Sequence, residues 1–407
     1  MRYEDSVTKS SVLPEHLEPG APPPEGFLPL CVPNLGGKEW DYVKECLDTG
    51  WVSSVGQFVS RFEREFAAAV QAEAAVATSS GTTALHVALC VSGIDPEDEV
   101  VLPSLTFIAP ANAVRYLGAW PTFVDVEPDY WQIDVGEVER FLREDCASVG
   151  GCLRNRHTGR RVRAIMPVDI LGHPADVRSV LEIAADHDLT VIEDACEALG
   201  ARYRDAPVGS WSPVTCFSFN GNKVITAGGG GMIVTNDAGL AERARYLTTQ
   251  AKDDSVEFIH QEVGFNYRLT NLQAALACAQ LEMLDEFVRY KRRIAESYNR
   301  ELAQIPGIEV MREAPWAHSS FWMYTVRIDP DEYGLDSRAL RKALADLQIQ
   351  TRPLWQPLHL SPAHRGSYAR PCPVAERINR DALSLPCSTS LTEREQGRVV
   401  KAVRRLA

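Results

Sequence analysis

Lys223 stands in the stretch TCFSFNGNKVITAGGGGMIVTND (215–237), between two short apolar runs at 216–219 and 232–235. The pattern predicts a strand, a loop carrying the lysine, a glycine turn at 228–231 and a second strand. Glycines at such a turn let backbone approach backbone or ligand closely. A lysine held between buried strands loses hydration, which disfavours its charged form and leaves a nucleophilic amine. That is the chemistry of a Schiff-base lysine. A solvated surface lysine is the ordinary alternative, so the rest of the chain must supply groups for a carbonyl cofactor.

Three further stretches carry such groups. In TVIEDACEALGA, Glu193, Asp194 and Glu197 follow a strand at its carboxyl end. Acids beside an apolar run are costly without a task, and a carboxylate can keep a pyridine nitrogen protonated and make the ring an electron sink. In AVATSSGTTALHVALCVSGI, the residues Ser79, Ser80, Gly81, Thr82 and Thr83 lie between a strand and a helix. Free N–H groups, the helix dipole and hydroxyls there form an anion site, unless Ser or Thr serves only as an N-cap. In PSLTFIAPANAV, Phe107 follows a strand end, where it can stack on a flat ring or belong to the core. Together these groups describe a pyridoxal-phosphate pocket.

The elements that must position them alternate. Strands are predicted at 74–77, 100–102, 122–126, 163–168, 190–193 and 216–219, with helices between them such as 176–187. This is the pattern of a mostly parallel sheet covered on both faces. A turn and one long helix are expected from 262 to about 302. Beyond 308 come a strand at 323–328, a helix at 337–347, a strand at 349–355 and a closing helix at 393–406. The domain reading is a proline-rich N-terminal arm at 1–27, a large domain at 28–290 and a small α/β domain at 291–407.

The net charge of −13 argues against non-specific binding to nucleic acid or to an anionic membrane surface. Ten scattered cysteines without a CxxC pair fit reduced thiols better than disulfides or a metal site. No long apolar run or signal-like start is evident, so a cytoplasmic location is expected.

With the motifs GWVSSVGQFVSRFE, SSGTTALHVAL, PSLTFIAPANAV, VIEDACEALGA, FSFNGNKVITAGGGGMIVTND, GFNYRLTNLQAAL and TRPLWQPLHLSP in this order, the chain resembles the DegT/DnrJ/EryC1/StrS sugar aminotransferases from about residue 28 to the end. The resemblance implies the fold-type-I pyridoxal-phosphate architecture, with a mostly parallel seven-stranded sheet and a smaller C-terminal α/β domain. It implies that Lys223 is the Schiff-base lysine, that Asp194 pairs with the pyridine nitrogen and that Phe107 stacks on the ring. Glu197 would lie near the phenolic oxygen, where many relatives carry Gln or His. Gly81, Thr82, Thr83 and Ser218 match the phosphate binders. Asn266 would reach the phosphate from a neighbouring subunit, so the pocket would be complete only in a homodimer.

The implied reaction has two halves. L-glutamate leaves as 2-oxoglutarate with the cofactor as pyridoxamine phosphate, and a nucleotide-linked keto sugar then takes the amine, in ping-pong order. Lys223 would carry the proton between the carbons. The motifs look closest to relatives that aminate C4 of 4-keto-6-deoxy hexoses, some in bacillosamine-like or legionaminic-acid-like pathways; perosamine-type and antibiotic-sugar relatives differ little. Arg268 and Arg352 are candidates for the roughly two negative charges of the diphosphate. Trp355 and His359 are candidates for the sugar side. The rivals are a 3-keto-sugar aminotransferase, a non-catalytic cofactor-binding regulator, and a deoxysugar dehydratase, which Lys223 argues against because that branch carries His in its place.

Overall fold

The computed structural model describes residues 26–254 and 256–407. The expected arm at 1–27 lies almost wholly outside the described residues. Seven strands come first: β1 (Ala74–Thr78), β2 (Glu99–Pro103), β3 (Trp120–Val124), β4 (Val162–Ile165), β5 (Thr190–Asp194), β6 (Val214–Ser218) and β7 (Gly231–Thr235). Helices separate β1 through β5 as expected, but among the described residues none lies between β5 and β6 or between β6 and β7, where turns and two-residue strands make the connection. Toward the C-terminus follow β8 (Ile308–Glu309), β9 (Tyr324–Ile328), β10 (Arg352–Pro353), β11 (Tyr368–Ala369) and β12 (Ala382–Leu385).

The large sheet has eight strands in the order β1-β7-β6-β5-β4-β2-β3-β11. Strand β7 runs antiparallel to both β1 and β6, and the remaining pairs are parallel. The seven strands read from the sequence are all present. The eighth, β11, is a two-residue strand lent by the C-terminal region to the edge of β3. Such a pairing has no period to read. A second, antiparallel sheet of four strands, in the order β8-β9-β12-β10, forms the C-terminal layer.

The helices that matter for the site are α1 (Glu39–Thr49), α2 (Gln57–Ala69), α3 (Gly81–Val91), α4 (Asn271–Leu281), α5 (Leu284–Leu302) and α6 (Glu393–Leu406). Their ends obey local rules. Gly50 closes α1 in the left-handed region at φ 77°. Reciprocal capping boxes start α3 (Ser80 with Thr83), α4 (Thr270 with Gln273) and α6 (Thr392 with Glu395).

Two expectations are corrected. The single long helix reaching residue 302 is two helices, α4 and α5, broken at Glu282–Met283. No glycine or proline marks the break. Tyr42 donates to Glu282 over 2.6 Å, with Lys38 and Arg61 beside it, so contacts from far along the chain hold the turn. Helix α5 then runs through position 290, where the sequence reading divides the domains. The strand expected at 349–355 shrinks to Arg352–Pro353, because Pro353 has no N–H for a ladder.

The core behind the lysine loop is aromatic. Phe62 and Phe66 of α2 meet Phe219 edge-on, with centroids 5.0 and 5.4 Å apart, and Phe66 also meets Phe217 of β6 at 5.1 Å. Edge-to-face packing of this kind adds to plain area burial. These rings flank Ser218 and so set where β6 delivers the loop at 220–223. Among the described residues, no helix is long and apolar enough to cross a membrane. Phe66→Ala should destabilise the protein by about 3–5 kcal/mol in a denaturant titration; a loss under about 1 kcal/mol would show that these rings do not carry the core.

Candidate active site

The carboxyl ends of β2, β5 and β6 open on a cavity of about 410 Å³. Gly81, Thr82, Phe107, Asp194, Glu197, Ser218, Lys223, Arg352 and Trp355 all line it. Residues from strand ends more than 100 positions apart thus converge where open α/β sheets place their ligands.

Each is positioned by identifiable contacts. Asp194 ends β5 and is 3% exposed; its Oδ1 accepts from Cys196 N over 3.1 Å. Burial pushes its carboxyl up, against the opposing pull of its Cys196 hydrogen bonds and of Lys223. Glu197 accepts through Oε2 from Leu171 N over 2.8 Å. Its Oε1 lies 3.7 Å from Lys223 Nζ. Burial raises the Glu197 carboxyl to about 7, although Lys223 and the Leu171 N–H pull the other way. Lys223 is half-buried, with its Nζ 4.1 Å from the centroid of the Trp322 ring. The Trp322 indole N–H donates to Asn222 O over 2.6 Å and ties that ring to the lysine loop.

The other end of the cavity fits an anion. The side chain of Ser80 caps Thr83 N, while the N–H groups of Gly81 and Thr82 begin α3 without an intrahelical partner. A Cβ on Gly81 would lie 2.7 Å from Ser218 Cβ and 2.9 Å from Cys196 Sγ, so only glycine leaves this cradle open. A buried carboxylate at one end, a helix start with a serine at the other and a lysine between them match the nitrogen, phosphate and aldehyde of pyridoxal phosphate. Phe107 is 52% exposed and offers a free ring face to the cavity. Arg352 is exposed and, among the described residues, has no carboxylate within ion-pair distance, which leaves its charge for a ligand.

Four expected residues lie elsewhere. Thr83 Oγ1 accepts from Ser80 N over 3.0 Å and donates to Ser80 O over 2.8 Å, so its hydroxyl serves the helix cap. Both ring nitrogens of His359 are engaged, Nδ1 with Ser104 Oγ at 2.6 Å and Nε2 with Glu376 Oε1 at 3.1 Å. Asn266 and Arg268 line a second cavity of about 820 Å³ beside Trp51 and Asn271. Arg268 is paired there with Glu63 at 3.0 Å. Sequence reasoning missed Trp322, Leu171 and Cys196. Trp322 had no signal, since it comes from just before β9 and reaches the lysine only through tertiary folding. Leu171, at φ 61°, carried none either.

Glu197 generates a pH dependence. Its folded pKa of about 7 lies above the unfolded carboxyl value, so the folded state holds the extra proton between roughly pH 4.5 and 7 and stability falls as pH rises through that window. In the cofactor-free protein, Glu197→Gln should remove a loss on the order of 3 kcal/mol between pH 5 and pH 8, read by denaturation at both values. An unchanged difference between those values would mean that Glu197 titrates normally.

Comparison with known proteins places this geometry. Residues 33–404 match the DegT/DnrJ/EryC1/StrS aminotransferase family. The chain is 41% identical to the GDP-perosamine synthase of Caulobacter vibrioides, over 92% of this chain and 97% of that protein. It is 37% identical to the GDP-perosamine synthase of Escherichia coli O157:H7, over 91% and 95%. The crystal structure of S. venezuelae DesV in complex with a ketimine intermediate superposes with a TM-score of 0.81 at 36% identity, over 90% of this chain and 94% of that one. The chain therefore belongs to the DegT/DnrJ/EryC1/StrS aminotransferases and is a pyridoxal-phosphate-dependent sugar aminotransferase.

Proposed function

We propose that this enzyme moves an amino group from L-glutamate to C4 of a nucleoside-diphosphate-linked 4-keto-6-deoxy sugar, in a homodimer with shared active sites. The observation that carries the reading is the convergence of Lys223, Asp194 and Glu197 in one cavity with the cation of Arg352, which has no carboxylate partner among the described residues. Two relatives named for a GDP-linked amino sugar, matched over more than nine-tenths of both chains, support a guanosine nucleotide.

The bound cofactor supplies an aldehyde that takes up the amine and a ring that accepts the electrons released at the substrate carbon. Asp194 holds the ring nitrogen's proton, in a site dry enough for that charge pair to matter. Lys223 Nζ would take and return the proton at the substrate carbon, being tethered within reach. Glu197 would lie near the cofactor's phenolic oxygen, and Phe107 would cover its ring. The start of α3 and Ser218 hold the phosphate through N–H groups and a hydroxyl. Arg352 and Trp355 meet the diphosphate and the sugar.

The second cavity fits an interface. Beside it, Trp51, Val52 and Val55 are exposed, and Val256, Phe258 and Val263 are exposed on the loop after residue 251. Apolar groups left open in this number mark a contact surface. A second copy seated there would bring Asn266 to the partner's phosphate, and Arg268, released from or sharing Glu63, to its substrate.

Three experiments test this reading. The visible absorbance of bound pyridoxal phosphate should bleach with L-glutamate and return with a GDP-linked 4-keto-6-deoxy sugar. Recovery with a 3-keto sugar nucleotide alone would move the amination to C3. Lys223→Ala should show no turnover, and Asp194→Asn should lose about 10²–10³-fold in kcat. Mixing inactive Lys223→Ala with Asn266→Glu subunits should restore up to about a quarter of wild-type activity, because each mixed dimer holds one intact site. No recovery in subunits shown to exchange would exclude the shared site.

A further inference from the structure

A buried lysine that the proposed chemistry does not use lies behind Trp322. Lys291, on α5, is 2% exposed, and its Nζ donates to Trp322 O over 2.8 Å and to Cys387 O over 2.7 Å. Two sulfurs complete its surroundings, Cys31 Sγ at 3.5 Å and Cys387 Sγ at 3.8 Å. Among the described residues, no carboxylate lies within ion-pair distance of it. An ammonium enclosed in protein is costly without a counter-charge, and among the described residues a thiolate is the one within reach.

The pairing is visible on both sides. Burial pulls the Lys291 ammonium down, but the two sulfurs outweigh this and hold it above its ordinary value. A hydrogen bond from Cys387 draws the Cys31 thiol down against burial, and Lys291 and then Lys223 add to the pull, bringing it to about 6. Cys387, the donor of that bond, is pushed well up. Burial moves other thiols the opposite way: Cys146, Cys278 and Cys372 reach about 12 and Cys90 about 11. Cys31 is also half-buried rather than enclosed.

The two cysteines sit on adjoining backbones. Cys387 N donates to Leu30 O over 2.8 Å, and Val32 N donates to Ser388 Oγ over 3.0 Å. The cluster also touches the lysine loop. Cys31 Sγ lies 3.5 Å from Asn222 O, the same oxygen that accepts the Trp322 indole N–H.

We propose that Cys31 and Cys387 form a peroxide-sensitive dithiol, in which Cys31 is the sulfur that a hydroperoxide oxidises and Cys387 is the one that resolves it to a disulfide. The Cys31 thiolate attacks a peroxide oxygen; the O–O bond breaks, an alcohol or water leaves, and Cys31 becomes a sulfenic acid. The Cys387 sulfur gives up its proton and attacks the Cys31 sulfur, water leaves, and the S–S bond forms. Two thiols lose two electrons, and the peroxide gains them. A small dithiol reverses the change by exchange. Oxidation also strips Lys291 of its counter-anion, one hydrogen bond from Trp322 and the lysine loop.

The test treats the holoenzyme with a small excess of hydrogen peroxide, blocks free thiols and maps the digest by mass spectrometry. The expected product is a peptide pair joined through Cys31 and Cys387 that dithiothreitol separates. Cys387→Ser should stop at a Cys31 sulfenic acid that dimedone traps. In the untreated enzyme at pH 7, iodoacetamide should label Cys31 at least about tenfold faster than Cys90, which is also half-buried. Lys291→Met, its fold checked by circular dichroism, should reduce that rate by a similar factor. Preferential oxidation of another cysteine, a Cys31 no faster than Cys90, or Cys31 overoxidised while Cys387 stays a thiol would each overturn the assignment.

Discussion

Four carboxyl groups, those of Asp169, Glu193, Asp194 and Glu197, are buried together at the carboxyl edge of the parallel sheet, and one ammonium, Lys223, faces the front of the group. Burying so much potential charge is strongly unfavourable unless each group is bonded or neutralised. Here each has an answer. Asp169 accepts from Ala175 N, Glu193 from the Thr215 hydroxyl, Asp194 from Cys196 N and Glu197 from Leu171 N. Burial pushes all four upward, Asp169 well above its ordinary value with Glu193 beside it. The front pair is left to meet a cation. Much of the local architecture follows from satisfying these four groups.

Leu171 shows how far that reaches. Its N–H reaches Glu197 from a left-handed conformation at φ 61°, which residues carrying a Cβ ordinarily avoid. Gly172 follows at φ 90°, and a Cβ there would lie 2.6 Å from Trp322 N. Ser319 Oγ and Ser320 N both bond Gly172 O over 2.9 Å. The turn that satisfies one carboxylate is therefore also the surface on which the segment carrying Trp322 lands. Trp322 in turn covers Lys223, so the acid and the aromatic wall are set by the same backbone.

The cavity wall that carries Arg352 and Trp355 is held from the opposite direction. Asn379 donates to Leu354 O and Trp355 O, each over 2.8 Å, and Leu358 N donates to Ser104 O over 2.7 Å. His359, next to Leu358, bridges Ser104 after β2 and Glu376 in the helix Pro373–Asp381. This segment presents Arg352 and Trp355 to the cavity while anchored to the strand end that also leads to Phe107. That wall of the cavity and Phe107 are thereby tied to one strand end.

Seven of the eight strands of the large sheet, the lysine, acid, hydroxylic turn and aromatic at their ends, and a Ser or Thr cap at the start of α3 are legible in the sequence alone. Apolar runs, glycine turns and Ser or Thr caps are local, and local sterics and hydrogen bonding decide them. Tertiary packing alone sets the break between α4 and α5, the loan of β11 to the large sheet, the diversion of Thr83 and His359 to structural bonds, and the meeting of Trp322 with the lysine loop. Those features rest on contacts between residues tens to hundreds of positions apart. There, burial and the need to partner every buried polar group outweigh what any short stretch prefers.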